Sequence, residues 1–168
     1  YWMRVDPATG AVRGPVEVAV ENENAMNQDG NIQDLQELAI ACNATRCLLA
    51  YRQHVYNATV DLSASKVFVA FADLASGAVT RGAAILPGDW DIQEDPEAAV
   101  QADGSFLLTF AGTHTQAVLN ELDPCDLSGR QKVYLARFDA AGSAAGAPVE
   151  LNGEVGQRYQ TSVGGHPD

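Results

Sequence analysis

The residues best placed to do chemistry are a pair of cysteines. Cys42 and Cys47 flank Asn43-Ala44-Thr45-Arg46, and apolar runs lie on both sides, Leu38-Ala39-Ile40-Ala41 and Leu48-Leu49-Ala50-Tyr51. A hairpin there sets their Cα atoms roughly 5–6 Å apart, the separation a disulfide needs. A metal site fits less well, because no His or Cys pair supplies the other ligands at usable spacing. Two buried free thiols are the alternative. A bridge over so short a loop stabilises little through chain entropy. Its meaning is the compartment, which must be oxidising: secreted, on the extracellular surface or in a periplasm. Cys125, in Asp123-Pro124-Cys125-Asp126, is left over.

Other constellations are weaker. Asn22, Asn24, Asn27, Asp29, Asn31 and Asp34 surround Gly30, and calcium favours such oxygen ligands. Counted as an EF-hand loop with Asp29 at position 5, position 1 is Ala25 and position 12 is Gln36, which fails at two demanding places. A looser calcium site at Asn27, Asp29, Asn31 and Asp34 is the cofactor candidate, set against a plain solvated insertion. Asp89, Asp91, Glu94 and Asp95 occupy the matching loop further on, so a shared rim would be acidic and attract cations or a basic partner. Asn43-Ala44-Thr45 and Asn57-Ala58-Thr59 match the N-glycosylation acceptor pattern; two surface turns are the plainer reading. His54, His114 and His166 fall at no metal-ligand spacing, and no Gly-x-Ser-x-Gly element accompanies them. No residue earns a catalytic assignment. Trp2 and Trp90 are candidates for stacking on carbohydrate, against packing at a sheet edge.

The elements that position these residues come from an internal repeat. Asp6, Asp73 and Asp139 fall in one column, about 66 residues apart. Tyr1-Trp2-Met3-Arg4-Val5-Asp6 then lies on Phe68-Val69-Ala70-Phe71-Ala72-Asp73 and on Tyr134-Leu135-Ala136-Arg137-Phe138-Asp139. Gln33, Gln93 and Gln157 each precede an apolar strand, and Cys47-Leu48-Leu49-Ala50-Tyr51 aligns with Phe106-Leu107-Leu108-Thr109-Phe110. The aligned aspartates are expected to cap the turns that follow them, and the glutamines to bracket strands. The copies span about 1–66, 67–132 and 133–168.

Each unit reads as four short strands joined by Gly, Asp, Pro and Asn turns. Asn31 to Ala41 comes nearest to helical spacing, but its counterpart holds Asp95-Pro96, so it reads as loop then strand. Four-stranded units in tandem predict an all-β fold of β-propeller blades, antiparallel meanders with about 11 strands in all. Closed propellers take about 4–8 blades, so the ring is incomplete in this chain. Another protein chain or further blades of the same protein would complete it. A β-sandwich is the alternative. The chain opens at Tyr1 with no initiator Met or signal peptide, as a mature secreted protein or an excised fragment would.

Val133-Tyr134-Leu135-Ala136-Arg137-Phe138-Asp139-Ala140-Ala141-Gly142, then Gly146 to Asn152, then Gly156-Gln157, resembles the tandem repeats of large bacterial secreted and surface proteins. Those repeats run V-x-x-x-R-F-D-x-x-G, then G-x-x-x-x-V-N, G-x-Q, P-x-V-A and D-G-x-F-V-V-x-W. Pro96 to Val100 and Asp103-Gly104-Ser105-Phe106-Leu107-Leu108-Thr109-Phe110 match the last two parts. The first copy departs, with an insertion at Glu21–Gly30 and the cysteine pair in place of Asp-Gly. The resemblance implies propeller blades in adhesive or scaffolding ectodomains and carries over no catalytic residues.

Composition sets the outer limits. The 168 residues suit one domain or part of a larger one, and 46% apolar content excludes global disorder. No apolar run approaches the roughly 18 residues of a membrane-spanning helix. A formal net charge of −12 repels nucleic-acid phosphates. The expected function is a non-catalytic secreted or cell-surface interaction or scaffold module. The alternatives are the propeller portion of a secreted hydrolase and a calcium-dependent carbohydrate-binding protein.

Overall fold

A computed structural model of the chain describes residues 2–6, 8–17, 31–57, 62–85, 91–114 and 132–151. Among the described residues every regular element is a strand: β1 (Trp2–Val5), β2 (Val12–Glu17), β3 (Asn31–Cys42), β4 (Arg46–Asn57), β5 (Leu62–Asp73), β6 (Val79–Ala84), β7 (Asp91–Val100), β8 (Phe106–His114), β9 (Lys132–Phe138) and β10 (Val149–Glu150). The expected strand after Gln157 lies outside these residues. Among the described residues β1 and β2 pair only with each other. β3 to β6 form one four-stranded antiparallel meander, and β7 to β10 form another. A single parallel bridge, Ser65 opposite Ile92, joins the two sheets.

The segment from Asn31 to Ala41 is not loop then strand; it is strand throughout. A bulge between Gln36 and Leu38 absorbs the irregularity, with Glu37 at φ 50°. β7 does the same between Glu94 and Glu97, with Asp95 at φ 51°. Pro96 cannot donate to the ladder, so a bulge is where a strand tolerates it.

Strand alternation gives each sheet two faces. Let the front be the face carrying Leu48 and its repeat counterpart Leu107. The front of the first sheet (Ala39, Leu48, Ala50, Val67, Val69, Phe71) packs on Phe106, Leu108, Phe110, Tyr134, Ala136 and Phe138 of the second. Those six lie on the second sheet's back. The sheets therefore meet front to back, and equivalent positions never face one another. Phe71 ties the layers, with ring centroids 5.8 Å from Phe106 and 5.4 Å from Phe138, both edge-on. Phe106, Leu108 and Phe110 are fully buried, each contributing about 1.5–3 kcal/mol relative to an exposed position. The first sheet's back holds a second cluster, Cys47, Leu49, Tyr51, Ala70 and Ala72.

Equivalent positions do equivalent work in the two sheets. Tyr51 stacks on Phe68 at 5.7 Å, and their counterparts Phe110 and Tyr134 stack at 5.5 Å. The Ile85 N–H donates to Val67 O at 3.0 Å, as the Leu151 N–H donates to Val133 O at 2.9 Å.

Candidate functional site

In a meander, alternate turns fall at the same end. The β3–β4, β5–β6, β7–β8 and β9–β10 turns thus form one rim, and it is densely bonded. Cys42 and Cys47 face each other in register and are joined by a disulfide. Asn43, between them, accepts from the Thr45 and Arg46 N–H groups at 2.9 and 2.8 Å. Its Nδ2 donates across to the second sheet's turns, to Gly104 O at 2.8 Å and Ala140 O at 3.1 Å. Arg46 Nη1 donates to Ala141 O. A glycan on Asn43 would displace the two contacts made by that nitrogen, so Asn43 is placed as a structural tie.

The aligned aspartates cap their turns as expected. Asp6 Oδ1 accepts the Ala8 N–H at 2.9 Å. Asp73 Oδ1 accepts from Ala75 and Ser76 at 3.1 and 2.7 Å, and Asp139 Oδ1 from Ala141 and Ser143 at 2.9 and 2.8 Å. The backbone N–H of Ser76, then its hydroxyl, holds the Asp73 carboxyl below its ordinary range. The hydroxyl and N–H of Ser105 do the same for Asp103. Gly142, in the Asp139 turn, has φ 86°, and a Cβ there would sit 2.9 Å from the Phe71 ring. Only glycine lets this turn close on the neighbouring sheet.

A polar junction links the inner strands of the two sheets. Gln93, wholly buried on β7, accepts the Val67 N–H through Oε1 at 2.9 Å, while its backbone O accepts from Ser65 Oγ at 2.9 Å. The strand bracket expected of this glutamine is thus a latch between sheets. Nearby, Glu37 accepts from Arg52 Nη1 at 2.5 Å and from the Asp95 N–H at 2.7 Å. Arg52 also lies 3.6 Å from Glu94. Desolvation, then the charges of Glu37 and Glu94, push the Asp95 carboxyl above its ordinary range, against the pull of Arg52. Three carboxylates (Glu37, Glu94 and Asp95) thus gather around one guanidinium, beside two bulges at positive φ.

The acidic residues expected on loops lie partly in strands. Asp91, Glu94 and Asp95 belong to β7, and Asn31 and Asp34 to β3, at positions of opposite parity along an extended strand. Asn27, Asp29, Asp89, Trp90, Cys125, Gln157 and His166 lie outside the described residues. Asn57 ends β4, His114 ends β8 and Trp2 starts β1. Among the described residues no group of three or more His, Cys, Asp or Glu is arranged to hold a metal ion. A cavity of about 330 Å³ opens between the outer strands, lined by Val69, Phe71, Arg81, Phe138 and Pro148 among others. Sequence reasoning missed the Asn43 tie and the Glu37–Arg52 junction. The first hid behind a glycosylation pattern; the second joins residues from three strands with no repeat to flag it.

No family model, no curated protein and no solved structure matches this chain.

Proposed function

We propose that this chain is part of a β-propeller from a secreted or cell-surface protein. It works as a non-catalytic interaction or scaffold module, with another chain or further blades completing the ring. The supporting observation is the front-to-back packing of two equivalent four-stranded sheets. A sandwich of two copies would bring like faces together around one core. Front-to-back contact is instead a head-to-tail relation that can be applied again until a ring closes. The Cys42–Cys47 disulfide supports an oxidising compartment. The densely bonded turn rim supports a rigid scaffold.

Electron microscopy of the native assembly, with its intact mass, tests this reading. Rings of about 4–8 sheets are expected. Compact two-sheet particles containing this chain alone would overturn it. A turnover screen on glycoside and ester substrates tests the non-catalytic part. Reproducible turnover abolished in Glu94→Gln or Asp95→Asn would favour the hydrolase, and calorimetric calcium binding with sugar dependence would favour the carbohydrate binder.

A further inference from the structure

Among the described residues seven large apolar side chains stand exposed, and they sort onto two kinds of face. Val149 and Leu151, 58% and 52% exposed, lie on the front of the second sheet. Val149 is paired with Leu135, and the Leu151 N–H donates to Val133 O at 2.9 Å. Leu135 and Val133 are only half-buried, and Arg137 on the same face is exposed. Their counterparts on the first sheet, Val67, Val69, Phe71 and Ile85, all pack into the shared core. The other five, Met3, Val5, Val12, Leu38 and Ile40, fall at repeat positions that belong to backs. Val5 opposes Val12 just as Ala72 opposes Val79, and Ala72 and Val79 lie with the first sheet's back cluster. Phe138, the counterpart of Val5 in the third copy, sits against Phe71 in the shared core. One chain thus carries an open apolar front on β9 and β10 and an open apolar back on β1 and β2. These are the two halves of a contact that it already makes once internally, and exposed apolar strips of this kind mark interaction surfaces.

We propose that the front of the second sheet docks the back of the β1–β2 hairpin of a second copy of this chain. The second copy's Val5 and Val12 cover Leu135, Val149 and Leu151, as the back of β9 covers the front of β5 inside the chain. Arg137 takes the place of Phe71, with its aliphatic stem laid along the second copy's Val5. The occupant is a second copy because the contact continues one already present, and because both of its surfaces are exposed on the same molecule. A twofold pairing needs one face to match itself, whereas the open faces here are different. The inference rests on the head-to-tail reading above and adds the identity of the partner.

Sedimentation velocity on the unmodified chain, from about 1 to 100 μM, tests it. The mean mass should rise with concentration. Val5→Lys and Leu151→Lys each place a charge on one of the two exposed faces, where the fold tolerates it, and each should weaken association about tenfold or more. Lysine also makes the net charge of −12 less negative, so general repulsion does not account for such a loss. Mixed one to one, the two variants should form a complex of two chains and stop, since each keeps the face that the other has lost. Val12→Lys and Val149→Lys should pair in the same way. A chain that stays monomeric throughout that range, a mixture that stays monomeric, or association that survives both single variants overturns the second-copy assignment. None of these results touches the propeller reading, which is judged on the native assembly. Rings completed by a different chain keep that reading and remove the second copy, and compact two-sheet particles end both.

Discussion

The two front faces carry corresponding residues and meet different surroundings. On the first sheet, Leu48, Ala50, Val67 and Val69 are buried to 4% exposure or less; on the second, Thr109 is buried but Leu107, Val133 and Leu135 are only half-buried. The aligned pair Phe71 and Arg137 shows the contrast best. Phe71 packs between two aromatic rings of the neighbouring sheet, while Arg137 lies open. Four-stranded meanders of this kind do not finish their own cores. Here the second sheet's back is completed by the first sheet's front.

The largest effect that separates the faces is a core truncation. Phe106→Ala, on the shared side of the second sheet, should cost about 3–5 kcal/mol in urea unfolding. Leu107→Ala, one residue along on the front, should cost about 1 kcal/mol. Equal costs would mean that both faces are equally covered, and the comparison would break. Gln93→Ala comes next, at about 1–3 kcal/mol, because the buried Val67 N–H loses its acceptor. Reducing the Cys42–Cys47 bridge should lower stability by no more than about 2 kcal/mol, the low end for disulfides because the loop is so short, read from melts with and without reductant. Asn43→Ala should cost about 1 kcal/mol, and Asn43→Asp should recover the turn cap without the cross-sheet ties to Gly104 and Ala140. If Asn43→Asp is as stable as the unmodified chain, those ties contribute nothing.

The smallest effect is on pH, and the turn rim and inner junction should respond in opposite directions. Asp73 and Asp103 are held below their ordinary 3.8, so their contribution is present above that value and is lost as pH falls through their lower folded values. Asp95 is raised, so its protonated form fits the folded state better, and stability declines as pH rises through its folded value. Asp95→Asn should therefore raise the melting temperature at pH 7 and remove the gain in stability that Asp95 protonation supplies as pH falls towards 4. Asp73→Asn should flatten the loss of stability below pH 4. Identical acid profiles for the two variants would contradict the assignment.

Much of this was legible because it is local. The Asp-to-Gly turns, the alternating strands and the disulfide hairpin each depend on residues within a few positions of one another, and the repeat showed them more than once. The run at Leu48-Leu49, apolar on both sides of the pleat, is buried on both faces, whereas in the matching run Leu108 is buried and Leu107 only half-buried. The extended course of Asn31 to Ala41 was hidden because a bulge breaks the period at Glu37. Sequence periodicity cannot tell a bulged strand from a loop. The Arg52 junction was hidden for another reason: it depends on how two sheets are offset, which no single strand encodes. The glutamine column stood out only because it recurs; nothing in Ile92-Gln93 alone points to another sheet.

The front-to-back contact also gives the molecule a direction. A twofold pair satisfies itself and stops, whereas a directional contact leaves one unlike end at each side of whatever has been assembled. Leu38 and Ile40, 65% and 48% exposed on the first sheet's back, are the counterparts of Ala98 and Val100, which pack inside. Chains that meet these ends with one another's open fronts would grow as polymers. On the propeller reading proposed above, closing the circle is what would keep such a protein at a fixed size.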